Sequence, residues 1–136
     1  MKKKKKPKLK SLPSLKKKAW TLFSQYIRKK AIDTNGNCIC YTCGDTLHFK
    51  YIQAGHAIPG RHNAVLFDEE IVKVQCVACN IFKRGNYPIF TTKLIKAHGM
   101  EWWENKLANS RKTVKYTRFD IQDIIDRYTE RLKTYG

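Results

Sequence analysis

Two closely spaced pairs of cysteines place the tightest constraint on how this chain folds. Cys40 and Cys43 form one C-x-x-C pair, Cys76 and Cys79 form a second, and residues 44–75 separate the two pairs. A two-residue spacer lets both thiolates of a pair bind one ion, and two pairs complete the tetrahedral four-sulfur shell that structural zinc prefers. The spacing therefore predicts a Zn²⁺ site that closes residues 44–75 into a loop, and we expect the metal to supply much of the folding stability.

The remaining cysteine and the N-terminal lysines bear on the chemical setting of these thiols. Cys38 lies two residues before Cys40, so it is either a competing ligand or an ordinary buried thiol. No apolar segment or cleavage site follows the lysine run at the N-terminus, so we expect no secretion signal. We therefore expect a cytoplasmic location, which is the host cell cytoplasm if the chain is phage-encoded. In that setting metal ligands and free thiols are favoured over disulfides.

The positive charge of the chain is concentrated at its N-terminal end. The formal net charge is +17, and 13 of the 28 Lys and Arg residues lie in residues 1–30, before the first acidic residue, Asp33. Such a balance favours a polyanionic partner, either a nucleic acid or an anionic membrane surface. No segment approaches the roughly 20 apolar residues that a membrane span needs.

The local patterns predict an α+β chain with a single folded domain. We expect a disordered basic arm at 1–13 and a zinc-stabilised domain at 14–136, with its core at about 37–90 and C-terminal helices at 91–136. Ser14 is the expected N-cap of a basic amphipathic helix that ends near residue 31. Strands are expected at 38–43, at 47–52 with a break at Gly55, at 65–67, and at 71–74.

Helices are expected in the second half of the chain. A short helix is predicted between Cys79 and Arg84, followed by helices at 93–98, ended by Gly99, and at 101–108. Asp120 is the expected cap of a last helix, whose apolar residues recur at helical spacing. This stripe predicts core packing, with the first helix as the candidate partner, and a homodimer seam is the alternative.

The order of the motifs matches a known family. The run QAGHAIPGRHNAVLFDEE is followed by VQCVACNIFKRGNYPIF, and IRKKAIDTNGNCICYTCG precedes both. Over roughly residues 15–110 the chain resembles the zinc-bound branch of the HNH (ββα-metal) nucleases, and more closely the phage recombination endonucleases of the NinG (Rap) family. The resemblance implies a small ββα-metal core with two zinc knuckles, flanked by the N-terminal basic helix and the C-terminal helices. It also implies a metal-dependent DNA endonuclease that hydrolyses phosphodiester bonds in branched or structured DNA.

The resemblance assigns a role to several residues. His56 would be the general base, because a neutral imidazole accepts a proton near pH 7. Asn80 would take part in catalysis by binding Mg²⁺ or Mn²⁺ through its side-chain oxygen, although an Asn at this position could simply cap a helix. DNA contacts are expected from the basic helix, from the loop after His56 and from the segment after Asn80, namely Lys16, Lys17, Arg28, Lys29, Arg61, Lys83, Arg84 and Asn86.

Two positions depart from the family pattern. Gly55 precedes His56 where many HNH proteins have a metal-binding Asp or His, and Gln53 is the nearest polar residue upstream. Ile71 stands where an Asn is common. The residues considered as further ligands of the catalytic ion are His62, Asn63, Asp68 and Glu69. The expected partner is DNA, with no membrane and no small-molecule cofactor. The alternatives are a non-catalytic zinc-containing DNA-binding protein with a degenerate HNH site, and a ribosome- or RNA-associated zinc protein.

Overall fold

The computed structural model describes residues 9–60 and 62–135 and confirms the predicted α+β class. Arg61 and most of the predicted basic arm (residues 1–8) lie outside this range. The helices are α1 (Leu12–Lys30), α2 (Asn63–Leu66), α3 (Tyr87–His98), α4 (Met100–Ser110) and α5 (Arg118–Leu132). The strands are β1 (Asn37–Ile39), β2 (Thr46–His48), β3 (Ile52–His56) and β4 (Val72–Cys76). A π-helical turn, Ala78–Phe82, follows β4, and short 3₁₀ turns cover Phe49–Tyr51 and Lys133–Tyr135.

Helix α1 begins earlier than the sequence predicts. The side chain of Ser11, rather than that of Ser14, caps the helix by accepting a hydrogen bond from the Ser14 N–H at 3.3 Å. Pro13 lies in the first turn, where its missing N–H has no intrahelical partner to lose. The first two residues of α1 therefore fall within the segment predicted as a disordered arm.

Helices α1 and α5 pack against each other over the β3–β4 pair. Phe23 and Ile27 of α1 and Ile121 of α5 are buried in the same core cluster as Val72 of β4. The predicted packing of the last apolar stripe against the first helix is confirmed. Thr117, rather than Asp120, is the N-cap of α5, and Asp120 completes a capping box by accepting from the Thr117 N–H at 2.9 Å.

The four strands form two antiparallel pairs. Strand β1 pairs with β2 through Cys38 opposite Leu47, and β3 pairs with β4 through Ala54 opposite Val74. The predicted break at Gly55 is wrong, because Gly55 lies inside β3 opposite Lys73. Packing requires a glycine at position 55, because a Cβ there would lie 1.8 Å from the side-chain oxygen of Gln75.

A second core lies beneath α2, α3 and α4. The predicted strand at 65–67 is wrong, because Val65 lies in the short helix α2 and packs in this core with Phe90 and Leu94 of α3. A brief apolar run has too few residues to show a helical period. Helix α3 starts at Tyr87, six residues before the predicted start, and ends before Gly99 as expected. No helix in residues 9–60 and 62–135 is long and apolar enough to cross a membrane.

Candidate functional site: a cysteine cluster beside a basic cleft

The four cysteines of the two C-x-x-C pairs converge in the structure. Their sulfur atoms all lie within 4.8 Å of one another, and Cys43 Sγ lies 3.7 Å from Cys76 Sγ. A tetrahedral zinc ion with bonds of about 2.3 Å to sulfur holds its ligands about 3.8 Å apart. The donor set and spacing therefore fit one structural zinc ion. In the part of the chain that the structure describes, this is the one group of three or more His, Cys, Asp or Glu side chains placed to hold a metal.

Each cysteine pair is shaped by its own backbone turn. In the first pair, the Cys40 N–H donates to Asp45 O at 2.8 Å and the Gly44 N–H donates to Cys40 O at 3.0 Å. Gly44 takes a φ of 81°, which glycine adopts without a steric penalty. In the second pair, Cys76 ends β4, and the Cys79 N–H in the π-helical turn donates to Cys76 Sγ at 3.4 Å.

Hydrogen bonds to the sulfurs favour the thiolate form at the first cysteine. Burial opposes charge on Cys40, but hydrogen bonds from the Cys43 backbone and the Thr42 side chain lower its pKa to about 6. Asn86 donates from Nδ2 to Cys79 Sγ at 3.6 Å and is 9% exposed. Asn86 therefore supports the cysteine cluster, and its role as a DNA contact stays a prediction.

Gln75 connects the two halves of the cluster, a role that sequence reasoning missed. Its side chain is completely buried, and Nε2 donates to Thr42 Oγ1 at 3.2 Å and to Gly85 O at 2.9 Å. Thr42 lies within the first cysteine pair, whereas Gly85 follows the second. The only signal in the sequence is a polar residue directly before Cys76, between the apolar residue Val74 and the cysteine.

A cleft of about 450 Å³ lies beside the cysteine cluster, between α1 and the edge of β3. It brings together the predicted base His56, the predicted metal ligand Asn80 and the basic residue Arg28. The other lining residues come from α1, from β3 and the loop after it, and from the segment after Cys79. They are Trp20, Ser24, Ile52, Gln53, Ala54, Ile58, Pro59, Gly60, Ile81 and Tyr87.

The His56 ring is held on two sides. It stacks on the Trp20 indole with ring centroids 4.9 Å apart, and its Nε2 lies 3.2 Å from Leu66 O. Because a carbonyl oxygen can only accept, this contact places the hydrogen of the neutral ring on Nε2 and the basic lone pair on Nδ1. Trp20 of α1 therefore fixes the orientation of the imidazole, and Leu66 of α2 fixes its tautomer.

Asn80 and Gln53 form an amide pair in the same cleft. Asn80 Nδ2 donates to Gln53 Oε1 at 2.8 Å, which leaves the Asn80 oxygen as the acceptor end of the pair. Among the described residues that line the cleft, none is a carboxylate and Arg28 is the single permanent cation. Its polar lining is therefore suited to an anion.

None of the four residues considered as further ligands of a catalytic ion lines the cleft with His56 and Asn80, and their role as ligands stays a prediction. Asp68 pairs with Lys106 at 2.8 Å, and Glu69 pairs with Arg131 at 3.1 Å. His62 immediately precedes α2 and lines a separate depression with Asn63. This depression adjoins the cleft, since Ile58, Pro59 and Gly60 line both.

The predicted DNA contacts are divided between several locations. Arg28 lines the cleft and lies over the Phe49 ring, with 5.2 Å between its guanidinium carbon and the ring centroid. Burial lowers the pKa of Arg28. Lys83 and Arg84 are exposed on the turn that follows Phe82, and Lys17 is exposed on α1. Lys29 is half-buried, and Lys16 donates to the side chain of Asn63.

The fold and site define a class of small α+β proteins organised around a four-cysteine metal site with an adjacent anion-compatible cleft. A family model described as Bacteriophage Lambda NinG protein matches residues 1–135. The chain therefore belongs to the NinG family, which indicates a bacteriophage protein related to recombination. No curated protein matches the chain, and no solved structure matches it.

Proposed function

We propose that the protein is a metal-dependent DNA endonuclease that hydrolyses phosphodiester bonds. One observation carries the proposal: the described lining of the cleft includes a histidine of defined tautomer, an amide oxygen and an arginine, and contains no carboxylate. Such a lining suits a phosphate diester, since acidic side chains would repel it. The order β3, β4 and π-helical turn also agrees with the strand–strand–helix order that the HNH resemblance implies.

In this proposal each group in the cleft has a separate task. His56 Nδ1 accepts a proton from a water molecule while the water oxygen bonds to phosphorus and the bond to the leaving sugar oxygen breaks. The stack on Trp20 and the contact with Leu66 O keep the imidazole in place during this step. Arg28 stabilises the negative charge that develops on the phosphate oxygens.

The residues present fit a catalytic Mg²⁺ or Mn²⁺ ion only if DNA completes its ligand shell. Asn80 could hold the ion through its side-chain oxygen, since its nitrogen is engaged by Gln53. Mg²⁺ commonly retains several waters and shares substrate phosphates rather than binding in an all-protein cage. When bound, the ion would supply charge stabilisation at the leaving oxygen.

The sharpest test compares nicking of branched and linear DNA by wild type and His56→Ala. We expect His56→Ala to lower the nicking rate on the order of 100-fold or more, the usual contribution of a general base. His98→Ala is a matched control, because His98 is exposed on α3 and does not line the cleft. Zinc content and circular dichroism would show that both variants are folded. Equal nicking by wild type and His56→Ala would disprove the catalytic assignment.

A second candidate function is DNA binding without cleavage. The observation that favours it is that the described cleft residues offer no carboxylate to hold a catalytic ion, while the Asn80 amide is engaged by Gln53. This candidate predicts tight, salt-sensitive binding to DNA and no nicking with Mg²⁺ or Mn²⁺. The same assay separates the two, because wild type itself would then fail to nick.

A further inference from the structure

The turn that follows the second cysteine pair presents an unusual apolar tip to solvent. Phe82 is 81% exposed and its neighbour Ile81 is 55% exposed. Leaving an aromatic side chain in water forgoes the stabilisation that burial would provide. The next two residues, Lys83 and Arg84, are also exposed. We refer to residues 81–84 as the apolar–basic tip.

The cysteine cluster holds this tip in a fixed shape. The Lys83 N–H donates to Ala78 O at 2.8 Å, and the Gly85 N–H donates to Cys79 O at 2.9 Å. Arg84 has a φ of 49°, a left-handed conformation that non-glycine residues adopt when their surroundings impose it. The exposure of Phe82 is therefore built into the backbone that carries the metal ligands.

The tip borders the cleft that contains His56. Ile81 lines the cleft together with Asn80, and Phe82 is the next residue along the chain. Consecutive Cα atoms are about 3.8 Å apart, so Phe82 lies within two residue lengths of Asn80. The tip therefore continues directly from the wall of the cleft.

Charge indicates the chemistry of the molecule that would meet this ring. Residues 71–100 contain no Asp or Glu but include Lys73, Lys83, Arg84, Lys93 and Lys96. A basic tip with an exposed aromatic ring is suited to a nucleic-acid strand, because the cations bind phosphates while the ring stacks on a base. Apolar side chains also enter DNA between base steps and open them.

We propose that Phe82 stacks on an unpaired or unstacked DNA base next to the phosphate bound in the cleft. The proposal deepens the proposed function, and rests on it for the position of the phosphate. Recognition would then depend on a base being available, as it is at a branch point or a bulge, rather than on a base sequence. Lys83 and Arg84 would hold the flanking phosphates and contribute affinity for any DNA.

The test measures binding without cleavage, in buffer free of Mg²⁺ and Mn²⁺ and with the zinc-loaded protein. The probes are a three-way junction and a matched linear duplex, with 2-aminopurine at the branch or at the equivalent paired position. We expect Phe82→Ala to weaken junction binding on the order of 10-fold and to abolish the 2-aminopurine quenching caused by stacking. Phe82→Trp should retain both, and linear duplex binding should change much less.

Phe119→Ala is the matched control, because Phe119 is also 81% exposed but lies on α5 and lines a different depression with Leu9 and Arg118. Unchanged junction binding by Phe82→Ala, or equal losses from Phe82→Ala and Phe119→Ala, would overturn the proposal. The proposal would also be overturned if Phe82→Ala lost binding to anionic lipid vesicles but kept its binding to DNA. If His56→Ala nicks like wild type while Phe82→Ala loses stacking, the cleavage proposal fails and the stacking proposal stands.

Discussion

Gly55→Ala is the substitution whose effect the structure defines most closely. An added Cβ would lie 1.8 Å from Gln75 Oε1 and 2.8 Å from Gln75 Cδ. Gln75 is completely buried and its Nε2 bonds Thr42 and Gly85, so its side chain cannot move aside without breaking those hydrogen bonds. The methyl group therefore forces either a steric overlap or the loss of the link between the two cysteine pairs.

The size of the effect follows from these two costs. Overpacking a filled core costs about 1–3 kcal/mol, and a buried polar group left without its partner costs about 1–3 kcal/mol. Relaxation trades one cost against the other, so we expect Gly55→Ala to lower the free energy of unfolding by about 1–3 kcal/mol. Zinc should also be lost at a lower chelator concentration, because Thr42 lies 3.4 Å from Cys40 Sγ.

Urea unfolding of the zinc-loaded protein, followed by tryptophan fluorescence, measures the free-energy change. A double-mutant cycle with Gln75→Ala tests the cause, since removing the Gln75 amide removes the overlap. In the Gln75→Ala background we expect Gly55→Ala to cost less than about 1 kcal/mol, because the two side chains are coupled through direct contact. An equal cost in both backgrounds would refute the reasoning.

Three further perturbations test other parts of the structure. Cys76→Ser should reduce bound zinc from one ion per chain to none by mass spectrometry and cause loss of cooperative unfolding; retention of stoichiometric zinc would contradict the site. Burial raises the pKa of Tyr128 from its ordinary value of 10.0 to about 12, with the Glu69 carboxylate adding to the shift. The neutral phenol therefore contributes stability that is fully present below pH 10 and is lost as the pH rises towards 12, and Tyr128→Phe should lose less stability over that interval. The combined Lys83→Ala and Arg84→Ala variant should reduce the slope of log affinity for DNA against log salt by about 2 if each residue contacts one phosphate; an unchanged slope would remove both residues from the interface.

The cysteine site and the paired terminal helices were predictable because their signals are local or periodic. A C-x-x-C spacing constrains two thiolates by itself, and the stripe from Ile121 to Tyr128 recurs at helical spacing. Four-residue elements such as α2 carry no such period. The apolar run that contains Val65 therefore predicted a strand, although tertiary packing places Val65 in a helical turn beneath α3.

The cleft depends on contacts that no local pattern encodes. His56 and Asn80 could be singled out by motif, but the stacking of Trp20 on His56 requires α1 to lie across β3. The sequence does place Trp20 and Arg28 eight residues apart, on one side of a helix, which is a weak signal of a shared surface. The packing role of Gly55 was not visible, because its contact is with Gln75 on the neighbouring strand.

The pairing of α1 with α5 has a consequence for the order of events during translation. All four cysteines and both cleft residues, His56 and Asn80, precede residue 81, whereas α5 starts at Arg118. A nascent chain can therefore capture zinc before the helix that covers Phe23 and Ile27 has left the ribosome. We expect the metal-bound segment to form first. One apolar face of α1 then stays exposed until the last 15-residue helix has been synthesised.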